Sequence, residues 1–143
     1  VEENWGFDID WTPVDFSAEN VWTRGSLDAL WHTSPTTATG FDWKSGKRYP
    51  VKHIQQEQLY AAYSFNKFST LEELTFSFGY ADEKATYPQN TTARTYTRVA
   101  AMKLQRGFHA RGLRMTTDET FKPRPSPVNC KWCDYREDCE WAK

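Results

Sequence analysis

From Leu74 to Tyr80 apolar and small or polar residues alternate without a break: Leu74, Phe76, Phe78 and Tyr80 against Thr75, Ser77 and Gly79. A period of two predicts a strand with one buried face. The opening stretch, Val1 to Phe16, spaces Trp5, Phe7, Ile9 and Trp11 the same way. It predicts a strand with Asp8 and Asp10 on its other face. Val21 to Trp31 predicts a second strand, in which Gly25 allows a bulge or a close approach. Ser34-Pro35-Thr36-Thr37 reads as a turn, and Thr39 to Lys44 as a third strand ended by Ser45-Gly46-Lys47. Past Pro50 the character changes. Val51 to Phe65 is rich in Gln, Glu, Leu and Ala, lacks Gly and Pro, and predicts a helix. Pro88 makes Tyr87 to Asn90 a turn or loop, and Thr95 to Arg111 predicts a second helix whose end is weakened by Gly107. The prolines of Phe121 to Pro127 make a stiff linker. Strands followed by helix, strand and helix imply an α/β (α+β) sheet domain with a small cysteine-bound appendage. The expected division is a core over 1–121 and a linker with a cysteine-rich appendage over 122–143.

Composition narrows the class. A chain of 143 residues is the size of one domain and can bury a core without disulfides. Its 7 Trp, 7 Tyr and 9 Phe argue against disorder. No apolar run approaches the ~20 residues that span a bilayer, so no membrane partner is expected. No signal peptide opens the chain, and a start at Val1 suggests an upstream segment that was processed, truncated or not included. The net charge of −1 is uneven: Arg94 to Arg114 holds six Lys/Arg and no Asp/Glu, which leaves −7 for the rest. A basic segment on an acidic body can serve a polyanion, although a solvated helix face has the same look. Cys130, Cys133 and Cys139 lie within the last fourteen residues at C-x2-C-x5-C spacing. An odd, clustered set is a poor disulfide framework and suits zinc or an iron–sulfur cluster. That usage implies a reducing, cytoplasmic setting.

The candidate chemistry sits in Phe41-Asp42-Trp43-Lys44. On a strand Asp42 and Lys44 share one face, and Phe41 and Trp43 the other, where the two aromatics would anchor the core. Asp28, in Gly25-Ser26-Leu27-Asp28, would lie alongside through a short hairpin. Two neighbouring carboxylates repel and invite a divalent cation, and hard oxygens select Mg²⁺ or Mn²⁺. A lysine beside them can position water or stabilise charge on a phosphate. Gln56 and Tyr60, at i and i+4 of the helix, share a face and could present an amide and a phenol to DNA or to Lys44. Each element also has a plain structural reading: a surface Asp–Lys pair, a core tyrosine, a solvated glutamine.

Taken in order, these elements resemble the PD-(D/E)XK nuclease superfamily, in its RecB-like branch of CRISPR-associated and phage exonucleases. Asp28 matches the first metal-binding Asp, Asp42 and Lys44 the (D/E)-x-K element, and Gln56 and Tyr60 the Q-x-x-x-Y helix. Cys130, Cys133 and Cys139 match three of the four ligands of a 4Fe-4S cluster. The resemblance covers nearly the whole chain. It implies a restriction-endonuclease-like fold, a mixed central sheet flanked by helices, and a Mg²⁺- or Mn²⁺-dependent deoxyribonuclease, an exonuclease on single-stranded DNA or duplex ends. Such enzymes serve recombination, repair, phage DNA metabolism or CRISPR adaptation, and a bacterial, archaeal or phage origin would follow. The resemblance further implies that Asp28, Asp42 and the backbone carbonyl of Trp43 hold the metal, with Glu2 a weak further candidate. Lys44 would orient water, and Gln56 and Tyr60 would support Lys44 or the DNA backbone. A helix carrying Arg94, Arg98, Lys103 and Arg106 would contact phosphates. The fourth cysteine and a metal-binding histidine would precede Val1. The alternatives are a non-catalytic nucleic-acid-binding module with a zinc or iron–sulfur staple, and a small zinc-bound interaction domain using His109 as fourth ligand.

Overall fold

The first strand, β1, is shorter than its alternation predicts, running Glu3–Phe7. Asp8 ends it: its Oδ1 accepts the backbone N–H groups of Asp10 (3.0 Å) and Thr12 (2.9 Å). This turn puts Trp11 at a φ of 64°, so Ile9 is exposed while Trp11 returns to the core. A two-residue strand, β2 (Pro13–Val14), then pairs antiparallel with β1. The second expected strand is in fact two. β3 (Thr23–Leu27) completes a three-stranded sheet ordered β2-β1-β3, and β4 (Ala29–His32) enters a separate sheet. Asp28 is the joint between them.

The computed structural model describes residues 3–46, 48–81, 91–120 and 122–142. Glu2, Lys47, Tyr87 to Asn90 and Phe121 lie outside these residues.

The second sheet holds the candidate site. β5 (Thr37–Lys44) pairs antiparallel with β4 and parallel with β6 (Glu73–Tyr80). Parallel neighbours need a crossover, and α1 (Pro50–Lys67) supplies it. β7 (Thr91–Thr97) closes the order β4-β5-β6-β7, antiparallel to β6. The sheet is mixed, and the chain is an α/β protein in the α+β sense. α2 runs Arg98–Thr116. The helix expected from Thr95 therefore starts three residues late, and Arg94 is on a strand. The β-branched run Thr91, Thr92, Thr95, Thr97 around Tyr96 favours a pleated surface over a helix.

Rings from both sheets meet α1 in the core, with Phe7 stacked on Tyr63 at 4.9 Å between centroids and Phe76 against Tyr60 at 5.4 Å. Gly25 does serve a close approach: a Cβ there would lie 2.6 Å from Tyr63 Cε2.

The chain divides into two compact units, Val1–Ala110 and Arg111–Lys143, the division falling within α2. In the second unit residues 122–126 carry no regular structure. They lead to α3 (Pro127–Lys131), capped by Ser126 Oγ, which accepts the Asn129 N–H at 3.0 Å. No helix among the described residues is long and apolar enough to cross a membrane.

Candidate active site

Alternate residues of β5 decide where the chemistry points. Ala38, Gly40 and Asp42 are buried, whereas Trp43 is 62% exposed and Phe41 half-buried. The aromatics therefore do not anchor the core, contrary to the expectation. The face toward α1 is already filled by Phe76 and Phe78, and only small residues fit beneath them: a Cβ at Gly40 would lie 2.7 Å from the Phe76 ring. Phe41 and Trp43 instead meet edge to face at 4.6 Å over Gly79 on the opposite side. Asp42 and Lys44 do share a face, and it is the buried one.

Lys44 Nζ pairs with Asp42 Oδ2 and lies 5.0 Å above the Phe78 ring. The ion pair is a charge contact rather than a well-aligned hydrogen bond, because Asp42 Oδ2 is buried and accepts none of good geometry among the described residues. Burial raises the Asp42 pKa above the ordinary carboxylate value; Lys44 opposes this, and the like charge of Asp28 adds to it. Asp28 is exposed at the β3–β4 joint, and its Oδ2 accepts the Trp43 N–H at 2.6 Å. That bond fastens the joint to β5 at the residue between Asp42 and Lys44.

Gln56 and Tyr60 also meet as their spacing predicts. Gln56 Nε2 donates to Tyr60 Oη at 2.8 Å, and Tyr60 Oη donates to the Ser26 carbonyl at 2.5 Å. The phenol is thus turned inward, not toward DNA, and holds the end of β3 two residues before Asp28. Burial pushes its pKa up to about 12, so it stays a donor at any ordinary pH.

Two residues of this region escaped the sequence reading. His53 Nδ1 lies 2.8 Å from Tyr80 Oη, and burial with the nearby Lys44 charge lowers its pKa. Glu57 is fully buried, taking Arg94 Nη1 at 2.8 Å and Tyr96 Oη at 2.9 Å. Both lie on the stripe that reaches Tyr60, Ala61 and Ser64, at helical spacings from one another, so the helical period carried a signal for them. Burial raises the Glu57 pKa despite Tyr96 and Arg94. The folded state therefore holds this proton more tightly than the unfolded chain, and stability falls as pH rises from the ordinary carboxylate pKa through the raised one. Glu57→Gln is expected to flatten that slope in melts between pH 4 and 8. Glu57→Ala, which strands the buried Tyr96 Oη and releases the half-exposed Arg94, should cost about 1–3 kcal/mol.

Of the expected phosphate-binding residues, Lys103 and Arg106 are exposed on α2. Arg94 is committed to Glu57. Arg98 points its guanidinium at the carbonyls of Phe65, Phe68, Ser69 and Leu71 at 2.6–2.8 Å. It is a cap for the end of α1, not a ligand for DNA.

Among the described residues no three His, Cys, Asp or Glu side chains are gathered to hold a metal. For Mg²⁺ this is no obstacle, since one or two carboxylates plus substrate oxygens and water suffice. Asp28 and Asp42 are hard oxygen donors of the kind such an ion takes, with Asp42 Oδ2 paired to Lys44 and Asp28 Oδ2 to the Trp43 N–H. Cys130 is buried, Cys133 exposed and Cys139 half-buried, all free thiols and one fewer than the four ligands a 4Fe-4S cluster normally takes. His109, the alternative zinc ligand, receives the Trp11 Nε1–H on Nδ1 at 3.3 Å. Comparison with protein-family models, curated proteins and solved structures finds no match to this chain.

Proposed function

We propose that the chain is a metal-dependent deoxyribonuclease of the PD-(D/E)XK type. One observation carries the reading. Asp28, Asp42, Lys44, Gln56 and Tyr60 come from a sheet joint, a strand and a helix, and three hydrogen bonds and an ion pair fasten these elements to one another: Gln56 to Tyr60, Tyr60 to the Ser26 carbonyl, Asp28 to the Trp43 N–H, and Lys44 to Asp42. A surface Asp–Lys pair would have no need of such fastening.

Asp28 and Asp42 are the residues that would hold Mg²⁺ or Mn²⁺. When bound, the ion would polarise a phosphate and lower the pKa of a water. Lys44 spends part of its ammonium on Asp42 and keeps N–H groups for an attacking water or a phosphate oxygen. Attack of the water oxygen on phosphorus breaks one P–O bond. The leaving oxygen takes a proton, so one new end carries phosphate and the other hydroxyl. Tyr60 and Gln56 are positioning residues, acting through the Ser26 carbonyl. Burial of Asp42 among Phe78 and the α1 face strengthens every charge interaction there.

A Lys44→Met variant separates these roles. It should still take up Mn²⁺ in a calorimetric titration but lose cleavage of labelled linear DNA. Full cleavage by this variant would remove the assignment. DNA binding with no cleavage by the wild-type chain would favour the non-catalytic nucleic-acid module. For the cysteines, iron and sulfide are expected far below four per chain after anaerobic reconstitution. Four of each would overturn the mismatch drawn from three ligands.

A further inference from the structure

The turn that ends β1 faces α2 across an open cleft of about 260 Å³. Ile9, Asp10 and Trp11 line one wall, and Gln105, Arg106 and His109 of α2 the other. Asp42 and Lys44 are not among its described lining residues. The loop wall is held by Asp8, whose Oδ1 takes the N–H groups of Asp10 and Thr12 and leaves the Ile9 and Asp10 side chains exposed. Trp11 sits at a φ of 64°, uncommon for a bulky residue, and strain of this kind collects at ligand sites. Trp11 is 4% exposed and forms the floor, whereas Ile9 is 47% exposed and presents an apolar flank.

The polar groups suit a ligand with donors on one edge and acceptors on another. Trp11 Nε1–H donates to His109 Nδ1 at 3.3 Å, so in the neutral ring Nε2 carries the proton and is a donor. Gln105 Oε1 accepts the Asn66 amide at 3.1 Å, which leaves its own amide N–H groups. Asp10 brings a carboxylate to the cleft. Arg106, three residues before His109 on the same helix face, brings a guanidinium. Among the described residues neither the Asp10 nor the Arg106 side chain has a hydrogen bond or ion pair, so opposite charges share the cleft without bridging it. An acceptor pair on the loop wall, donors on the helix wall and an apolar flank are the fittings of a flat heterocycle.

We infer that this cleft binds a guanine base, with its N1–H and N2 amino group on the Asp10 carboxylate, its O6 and N7 on Arg106, and its plane against Ile9. Guanine is the common base with two adjacent donors, which a carboxylate can take with both oxygens. Its other edge offers O6 and N7, the pair that a guanidinium reads in bidentate fashion. Adenine and cytosine present one amino group beside an acceptor, and thymine and uracil one N–H between two carbonyls. Each of these would set a lone pair against Asp10. The volume admits a base and leaves its sugar outside, being below the ~300–1,000 Å³ of pockets that enclose a whole small molecule. The base can come from a single strand or from a free nucleotide, and neither source depends on the nuclease reading.

The test uses the full chain without divalent metal. Calorimetric titrations with GMP, AMP, CMP and UMP read the free nucleotide. Fluorescence anisotropy with labelled thymine oligonucleotides carrying one guanine or none reads the strand. Guanine is expected to bind about tenfold tighter than the other bases. Inosine monophosphate lacks the N2 amino group and 7-deaza-GMP the N7 acceptor, and each should bind severalfold weaker than GMP. Asp10→Asn should erase the inosine difference and Arg106→Gln the 7-deaza difference. Both side chains are exposed, and circular-dichroism melts should show both variants folded as the wild type is. A preference seen with GMP alone assigns the site to a free nucleotide, and one present in the strand assigns it to nucleic acid. No guanine preference in either form, a preference undiminished in both folded variants, or uptake of the zwitterion phenylalanine in place of GMP would overturn the inference. Cleavage in Mn²⁺ is scored separately. Guanine preference without cleavage keeps this cleft and removes the nuclease; cleavage without guanine preference does the reverse.

Discussion

An Asp42→Asn variant is expected to lose DNA cleavage by about a thousandfold or more while melting at or above the wild-type temperature. The two effects have one origin. Asp42 is 5% exposed, with burial and Asp28 both disfavouring its charge. An ionised carboxylate in that position costs folding energy that Lys44 only partly offsets. Asparagine keeps the shape, removes the charge and relieves the repulsion. The same change strips the site of its buried anionic ligand. Losing several kcal/mol of charge stabilisation in the transition state, at 1.36 kcal/mol per factor of ten, yields the stated loss. Thermal melts and rate measurements on one preparation check both halves. A large drop in melting temperature would mean that Asp42 serves the fold through Lys44, and the loss of activity would then carry no mechanistic weight.

The second large effect lies away from the chemistry. Arg98→Ala is expected to destabilise the first unit by about 3 kcal/mol, since hydrogen bonds from a charged donor contribute about 1.5–3 kcal/mol each and do not add fully. Arg98 Nη1 serves the Phe65 carbonyl, and Nη2 faces those of Phe68, Ser69 and Leu71. With two hydrogens for three acceptors, at least one of the Nη2 bonds is shared. The Phe68 carbonyl also accepts the Leu71 N–H at 3.1 Å and keeps that partner when Arg98 is lost. At roughly 3–5 °C per kcal/mol for a unit of this size, the midpoint should fall by about 10 °C. Charge reversal at exposed Lys103 and Arg106 should do the opposite: leave the melt alone and lower the salt dependence of DNA binding by about one slope unit per lost phosphate contact. A salt slope unmoved by the Lys103 and Arg106 reversals would make that face of α2 merely solvated.

Much of this arrangement was legible in the residues. The Leu74–Tyr80 alternation became β6, and the Gln56–Tyr60 spacing became a hydrogen bond. Pairing of Asp42 with Lys44 follows from strand periodicity alone. What failed did so where tertiary demands override local pattern. Trp43 and Phe41 look like core residues by hydrophobicity, yet the α1 face of β5 is taken by Ala38, Gly40, Asp42 and Lys44 against Phe76 and Phe78. Val21 to Trp31 reads as one strand, because nothing in its composition marks Asp28 as the point where the chain changes sheets. A tight turn at Asp8 cut the first strand short, although Trp11 kept the right parity. Arg94 and Arg98 read as phosphate ligands because a sequence shows their charge but not Glu57 or the carbonyls that occupy them.

The most direct test of the central claim is cleavage of end-labelled linear DNA, single- and double-stranded, by the wild-type chain and by Asp42→Asn, each in Mn²⁺ and in chelator. The account predicts cleavage by the wild type in Mn²⁺ alone. Cleavage by Asp42→Asn at the wild-type rate, or none by the wild type on either substrate, would contradict it.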